Sequence, residues 1–196
     1  NALVDFARLY AGIDAAQILI ENPENPQELV SSAAWNDEAA DEALTFEVIS
    51  TDQMLCRDKL TANQTVIINR DGTAVHIEPG CLADTLFTQT DVNSIALVPI
   101  HAEGEWLGTL MLYTHRPKPW SEEELQPFRT LTNQAAVILT NQRLLTQTEL
   151  LYSIGRELSS AITPEQAMGI ALNAVADYIR PQRVRLVLYD DYYRSG

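Results

Sequence analysis

The stretch "SIALVPIHAEGEWLGTLMLYTH", residues 94–115, decides the fold that this sequence predicts. Two apolar runs, 94–101 and 106–115, flank the short polar loop "AEGE", which contains Gly104. Strand-forming runs joined by a loop of this length and composition indicate a β-hairpin. Because both runs are almost continuously apolar, we expect both faces of the hairpin to be covered, one by helices and the other by loops that roof a cavity.

The residues before the hairpin predict further strands and short helices. Residues 3–11 are typical of a helix end, and residues 36–64 of loops with one or two short helices. "CLADTLF" (81–87) is typical of a short helix. The predicted strands are "AQILIE" (16–21), "ELVSSAAW" (28–35), which pairs back antiparallel across the turn "NPENP", and "TVIIN" (65–69). These elements predict the α+β class: an antiparallel β-sheet with helices packed on it, followed by a long helix.

A long helix is predicted after the hairpin. "RPKPW" (116–120) ends the sheet, and "SEEEL" begins a helix with a capping box in which Ser121 is the cap and Glu124 lies three positions on. Pro127 removes a backbone donor, so we expect a separate first turn and a main helix from about Pro127. The pattern persists to "SSAIT", where Thr163 and Pro164 predict the start of another helix.

Apolar residues recur seven apart along this helix. One track holds Val137, Leu144, Leu151 and Leu158, and a neighbouring track holds Ile138, Leu145 and Tyr152. This spacing favours a helix that pairs with a second copy of itself in a coiled coil. The alternative is a helix that packs on the following segment of its own chain. The sequence therefore predicts a homodimer through the long helix.

Composition and charge exclude several classes of protein. Of the 196 residues, 46% are hydrophobic and 20% charged, which supports a globular core, and the formal net charge is −14. A surface this acidic repels phosphate groups, so we predict no binding to nucleic acid or anionic membrane. No apolar run is long enough for a membrane span. Cys56 and Cys81 lie in neither a metal-ligand spacing nor a disulfide framework, so we predict a reducing, cytoplasmic setting without a metal site.

The two ends of the chain resemble each other. Shifting the sequence by 168 residues aligns "LYAGIDAAQILIEN" (9–22) with "DYIRPQRVRLVLYD" (177–190), each a helix end, a turn and a strand. We therefore predict three parts: a sensory domain over residues 3–143, a linker helix over 144–162, and the truncated start of a second module over 163–196. The chain is expected to be a piece of a longer protein.

Several strings and their order resemble a GAF domain. "NSIALVPIHAEGEWLGTLMLYTHRPKPWSEEELQPFRTLTNQAAVIL" (93–139) is similar to the C-terminal half of that family: a strand ending in Val-Pro-Ile, a hairpin with Gly108 opening the next strand, and a Trp before an acidic capped helix. "NQTVIIN" (63–69) resembles the strand after the mid-domain helix. "ELLYSIGRELSSAITPEQAMGIALNAV" (149–175) resembles the linker and first helix that precede such a module.

The resemblance implies a non-catalytic sensory module of a bacterial-type signalling protein, whose output domain lies outside this chain. Such a module binds a small molecule, dimerises, or does both, and relays its state along a helix. The residues that this resemblance points to as pocket candidates are His76, Cys81, Trp106, Met111 and Tyr113. Core packing is the competing interpretation of Trp106 and Tyr113. The sequence does not identify a ligand or cofactor.

Two other activities of the family stay open as alternatives. A bilin-binding photoreceptor would attach its chromophore through Cys81, although Leu82 follows where the family usually has His. A thiol-dependent free-methionine sulfoxide reductase would use Cys56 and Cys81, but Met111 and Tyr113 replace the family's acids and a third, upstream cysteine is absent. No cyclic-nucleotide signature, P-loop or dinucleotide glycine motif is present. We therefore predict no catalytic residue in this chain.

Overall fold

The computed structural model describes residues 6–7, 9, 12–36, 45–54, 56–71 and 81–179. The chain forms two compact units, Asn1–Thr140 and Asn141–Gly196. The strands are β1 (Ala15–Asn22), β2 (Asn25–Asn36), β3 (Val48–Ser50), β4 (Val66–Asn69), β5 (Ser94–Ala102) and β6 (Glu105–Thr114). The helices are α1 (Arg57–Thr61), α2 (Leu82–Gln89), α3 (Glu122–Ser160) and α4 (Pro164–Ile179).

In the part of the chain that the structure describes, six strands form one antiparallel sheet in the order β3-β2-β1-β6-β5-β4. The predicted hairpin is confirmed as β5 and β6, which pair from Ser94 opposite Thr114 to Ala102 opposite Glu105. Predicted strands 16–21, 28–35 and 65–69 correspond to β1, β2 and β4. The α+β class is therefore confirmed.

Both faces of the sheet are buried at β5 and β6, which explains why these two strands are almost wholly apolar. Successive side chains of a strand point to opposite faces. The buried side chains form two clusters, one on each face. The first cluster includes Met111 and Tyr113 of β6, Leu60 of α1 and Leu86 of α2. The second cluster combines Leu125 and Phe128 of α3 with alternate residues of β5 and β6: Ala96, Val98, Leu110 and Leu112. We expected loops over one face, but short helices α1 and α2 also cover it.

Gly108 of β6 lies against the backbone of β1, where it pairs with Ile20. A Cβ atom added there would overlap the carbonyl oxygen of Leu19 and lie 2.9 Å from the Cα atom of Ile20. Gly108 also pairs with Ile100 of β5, next to a register shift in the hairpin. A glycine is therefore required at this point, because a side chain would push β1 away from the centre of the sheet.

Helix α3 begins with the predicted capping box. The amide N–H of Glu124 donates to Ser121 Oγ (3.2 Å), and the amide N–H of Ser121 donates to Glu124 Oε2 (3.0 Å). The prediction of a separate first turn was wrong, because α3 is continuous from Glu122 and contains Pro127. Leu125 and Phe128 are fully buried on either side of the proline, and their packing offsets a cost of about 3 kcal/mol.

The second unit contains the rest of α3 and helix α4. The predicted start of α4 is confirmed, since the amide N–H of Gln166 donates to Thr163 Oγ1 (3.3 Å). The Gln166 side chain in turn accepts from the amide N–H of Ile162 (3.0 Å). The strand predicted at 183–189 lies outside the described residues, so the start of a second module stays a prediction. Among the described residues, no helix has the length and hydropathy that a membrane crossing requires.

Candidate functional sites

Four of the five predicted pocket residues lie in the first cluster, between the sheet and helices α1 and α2. Cys81 immediately precedes α2, Trp106 lies near the start of β6, and Met111 and Tyr113 follow on the same face of that strand. The fifth, His76, lies outside the described residues. Met111 and Tyr113 share a face because they are two residues apart. Trp106 would alternate to the other face, but the register shift between Ile100 and His101 of the hairpin returns it to the first cluster.

The interior of the first cluster is filled by side chains. It contains a cavity of about 10 Å³, enough for roughly one water molecule and far below the roughly 300–1,000 Å³ of typical ligand pockets. Its walls are entirely apolar: Met54, Ile68, Leu82, Ala83, Leu86, Ile95, Leu97 and Met111. Of the predicted pocket residues, only Met111 lines it. Cys81, Trp106 and Tyr113 pack around it as core, which was the competing interpretation for Trp106 and Tyr113.

The polar atoms of the two aromatic residues are turned inward. The indole Nε1–H of Trp106 donates to Thr109 Oγ1 (3.1 Å), and both residues are buried. The Tyr113 hydroxyl donates to the Met111 sulfur (3.4 Å), which is a weak acceptor. Complete burial raises the pKa of the Tyr113 hydroxyl well above its ordinary value.

Replacing Tyr113 with phenylalanine is expected to make the protein more resistant to alkaline unfolding. Because the pKa of Tyr113 is raised in the folded state, this group stabilises the fold below about pH 10 and that contribution is lost as pH rises further, by up to about 1.4 kcal/mol per pH unit. Urea unfolding of both chains from about pH 9 to pH 11 measures this. Equal slopes of unfolding free energy against pH in the two chains would contradict it.

Both cysteines contact the first cluster. Cys81 is 9% exposed, and its sulfur accepts a weak hydrogen bond from the amide N–H of Asp84 (3.5 Å) in the first turn of α2. Cys56 is half-buried at the start of α1, packs against the same cluster, and has a left-handed backbone conformation with φ of 58°. Neither cysteine forms a disulfide among the residues that the structure describes.

Sequence reasoning missed Gln17, a fully buried polar residue of β1. Its side chain donates to the Phe46 carbonyl oxygen (2.6 Å) and accepts from the Phe46 amide (3.4 Å). It also donates to Ser31 Oγ (3.1 Å) on β2. These hydrogen bonds of Gln17 therefore hold the segment before β3 against the sheet. A glutamine inside the apolar run "AAQILIE" was the signal that could have revealed it.

A groove of about 400 Å³ lies at the C-terminal end of β4, lined by Asn69, Arg70, Asp71, Asn93 and residues 117–119. The Arg70 guanidinium donates to the carbonyl oxygens of Thr90 and Val92, and thus holds the end of α2. Lys118 Nζ lies 3.1 Å from Glu124 Oε1 and 4.8 Å from the ring centre of Trp120. Both cations already have protein partners, so these contacts are structural.

The predicted dimerisation residues lie along α3. Val137, Leu144 and Leu151 are exposed, as are the neighbouring Ile138, Leu145 and Tyr152, whereas Leu158 is half-buried. We call these six exposed side chains the apolar stripe; their exposed fractions lie between 53% and 75%. Isolated exposed apolar residues are ordinary, but a contiguous row of this length marks an interaction surface.

A family model described as the GAF domain matches residues 1–139. The chain belongs to the GAF family. No curated protein matches it. The six-stranded antiparallel sheet with helices on both faces is thus the GAF fold, and the resemblance stated from the sequence is confirmed for this part of the chain.

Solved structures share the GAF fold at low sequence identity. The blue-light absorbing form of the Thermosynechococcus elongatus PixJ GAF domain matches with a TM-score of 0.60 and 16% identity, covering 75% of this chain and 86% of that one. The GAF domain of a Bacillus halodurans two-component sensor histidine kinase matches with a TM-score of 0.56 and 24% identity, covering 74% of this chain and 94% of that one. The type II free methionine-R-sulfoxide reductase of Thermoplasma acidophilum matches with a TM-score of 0.52 and 17% identity, covering 71% of this chain and 88% of that one. This GAF domain therefore resembles those of signalling proteins in fold.

Proposed function

We propose that this chain is a non-catalytic sensory module of a multidomain signalling protein, which homodimerises through α3 and relays its state along that helix. The observation that carries the proposal is the apolar stripe. Its six large side chains each expose more than half of their surface, in three adjacent pairs spaced seven residues apart. Burying such side chains stabilises an association by up to about 1.5–3 kcal/mol each, which gives the stripe a strong tendency to find a partner.

Contacts at the base of α3 support a route from the first cluster to the helix. Ile68 of β4 lines the small cavity, and Thr65 directly precedes that strand. The Arg129 side chain of α3 donates to Thr65 Oγ1 (2.9 Å) and also pairs with Glu122. A shift of β4 would therefore pull on Arg129. The β6 strand offers a second route, because Met111 faces the cavity while Leu110 and Leu112 face α3.

A small molecule that acts on this module would have to open the first cluster. The cavity of about 10 Å³ admits no metabolite without displacing side chains such as Met54, Leu86 or Met111. Ligand binding would therefore move α2 away from the sheet, and such a displacement is the input that the relay would transmit. Dimerisation needs no such change, since the stripe is already exposed.

The molar mass of the native chain tests the proposal. We expect light scattering to give twice the chain mass of 21.8 kDa, with dissociation on dilution. Native mass spectrometry of protein purified from cells provides an independent count of subunits and also detects any bound small molecule. A mass of one chain at high protein concentration in both measurements would overturn the dimer.

The sulfoxide reductase is the competing function, favoured by two cysteines at one cluster and by the fold of the Thermoplasma enzyme. Free methionine sulfoxide is a polar zwitterion, whereas the cavity walls carry no hydrogen-bonding side chain. We therefore expect thiol-dependent turnover of free methionine sulfoxide to equal that of a protein-free control. Turnover that is lost in both Cys56→Ser and Cys81→Ser would establish the enzyme instead. The burial of Cys81 likewise argues against attachment of a bilin in this conformation.

A further inference from the structure

We propose that the two copies run parallel and in register along α3, with Asn141 of each facing Asn141 of the other. This inference rests on the proposed dimer and specifies its geometry. The alignment is inferred from the residues that lie between the two tracks of the stripe. Neither the fold nor the spacing of the leucines explains why these residues are polar or small.

A central row of polar and small residues divides the apolar stripe. Asn141, Thr148 and Gly155 are seven residues apart and all exposed. Each lies four positions after a residue of the track Val137, Leu144 and Leu151. Each also lies three positions after a residue of the other track. Residues three and four apart share a helix face. The central row therefore lies in the middle of the surface that a second helix would cover.

The residues of the central row pack favourably against the central row of a second copy, but not against its apolar tracks. In a parallel pair without offset, each central residue meets its own counterpart, so the Asn141 amides can donate to and accept from each other. In an antiparallel pair, each central residue packs against a leucine or valine of the other copy. Asn141 would then be buried without a partner, which is unfavourable. An offset of seven residues would leave one layer of the stripe unpaired at each end.

Charge does not set the alignment, because this part of the helix contains few charged residues. Between residues 130 and 155 the only charged residues are Arg143 and Glu149. Arg143 is two positions from Asn141, about 200° around the helix, and so lies on the opposite side. Asn141 is therefore the residue that selects one register over another, as a buried asparagine does in two-stranded coiled coils.

The stripe supplies most of the area that a pair of chains needs. Each of its six side chains would lose roughly 60–80 Å² of accessible surface, so two copies together would bury roughly 700–950 Å² from the stripe alone, close to the about 1,000 Å² of a small specific interface. A second copy of this chain therefore accounts for both the extent of the stripe and the polar row within it.

A parallel pair has an electrostatic consequence. Residues 1–140 contain 21 acidic and 7 basic residues, whereas residues 141–196 contain six of each, so the formal charge of −14 precedes the stripe. Parallel copies bring both acidic segments to the same end, where they repel. Raising NaCl from about 0.1 M to about 1 M shortens the screening length from about 10 Å to about 3 Å. The dissociation constant is therefore expected to fall several-fold.

Engineered cysteines test the alignment. Gly155→Cys and Val137→Cys, prepared separately, are each expected to form a covalent dimer under mild oxidation on a non-reducing gel. A Cβ at residue 155 meets no atom within 4 Å, and Val137 is exposed, so both variants should fold. The matched control is Thr146→Cys, which is exposed on the same helix but faces away from the stripe and should stay largely unlinked.

The outcomes separate this inference from the proposed dimer. A disulfide requires the two Cα atoms within about 7 Å, whereas an antiparallel pair centred on the stripe separates residues 155, or residues 137, by about 20 Å or more. A noncovalent dimer that links at neither position, or one whose dissociation constant is insensitive to NaCl, overturns the parallel alignment. A chain that is monomeric in light scattering overturns the dimer itself.

Discussion

Replacing Gly108 with alanine is expected to lower the free energy of unfolding of the GAF domain by at least about 3 kcal/mol. The added Cβ would overlap the Leu19 carbonyl oxygen, which is backbone and cannot move as a side-chain tip can. Strand β1 would have to shift, and it pairs with both β2 and β6 in the middle of the sheet. The melting temperature should fall by about 6–12 °C.

Gly104→Ala is the matched control for this effect. Gly104 has a φ of +89° in the β5–β6 turn, and no atom lies within 4 Å of a Cβ built on it. Alanine there costs only the left-handed conformation, about 1–2 kcal/mol. Calorimetry and urea unfolding of the two variants separate steric overlap from backbone strain. A Gly108→Ala chain as stable as the Gly104→Ala chain would show that β1 moves aside freely.

Replacing Leu144 and Leu151 together with aspartate is expected to convert the proposed dimer into a monomer. Each copy would lose two leucine contacts of roughly 1.5–3 kcal/mol and would bring two carboxylates to the interface. The four substitutions in a pair should weaken association by at least about 1,000-fold, since each 1.4 kcal/mol is a factor of ten. Light scattering over a dilution series measures the change in molar mass.

The control keeps the added charge but moves it off the stripe. Thr146→Asp with Ser160→Asp adds the same two carboxylates at exposed positions of the same helix, on the side away from the stripe. This chain should stay dimeric, and circular dichroism should show equal helix content in both variants. Loss of the dimer in the control as well would mean that helix stability or net charge, rather than the stripe, governs association.

Much of the fold was predictable because its determinants are local. The hairpin of β5 and β6 follows from two apolar runs around a short polar loop, and the start of α3 follows from Ser121 and Glu124, which bond each other across one helical turn. Met111 and Tyr113 share a face because a strand alternates with a period of two, whereas Trp106 joins them only through the register shift in the hairpin. Each of these inferences needs only neighbours in the chain.

Other features could not be predicted because they depend on residues distant in sequence. The continuity of α3 through Pro127 rests on Leu125 and Phe128 packing against the sheet. The role of Gln17 became visible only through Phe46, 29 residues away. The candidate pocket is filled because Met54, Ile68 of β4 and Leu86 of α2, which are distant in sequence, meet between α2 and the sheet. Sequence patterns indicate which face a side chain occupies, not how much space remains once the faces meet.

The sequence by itself determined the pairing of β1 with β2 and of β5 with β6, the capping residues of α3 and α4 and the seven-residue spacing along α3, because hydrogen bonding and amphipathic periodicity act over a few residues. Only the tertiary structure decided that the space beneath α2 is closed, that β6 needs a glycine at position 108, and that the apolar stripe stays exposed. Those outcomes depend on close packing, where distant side chains compete for one volume and a single methyl group decides which of them fits.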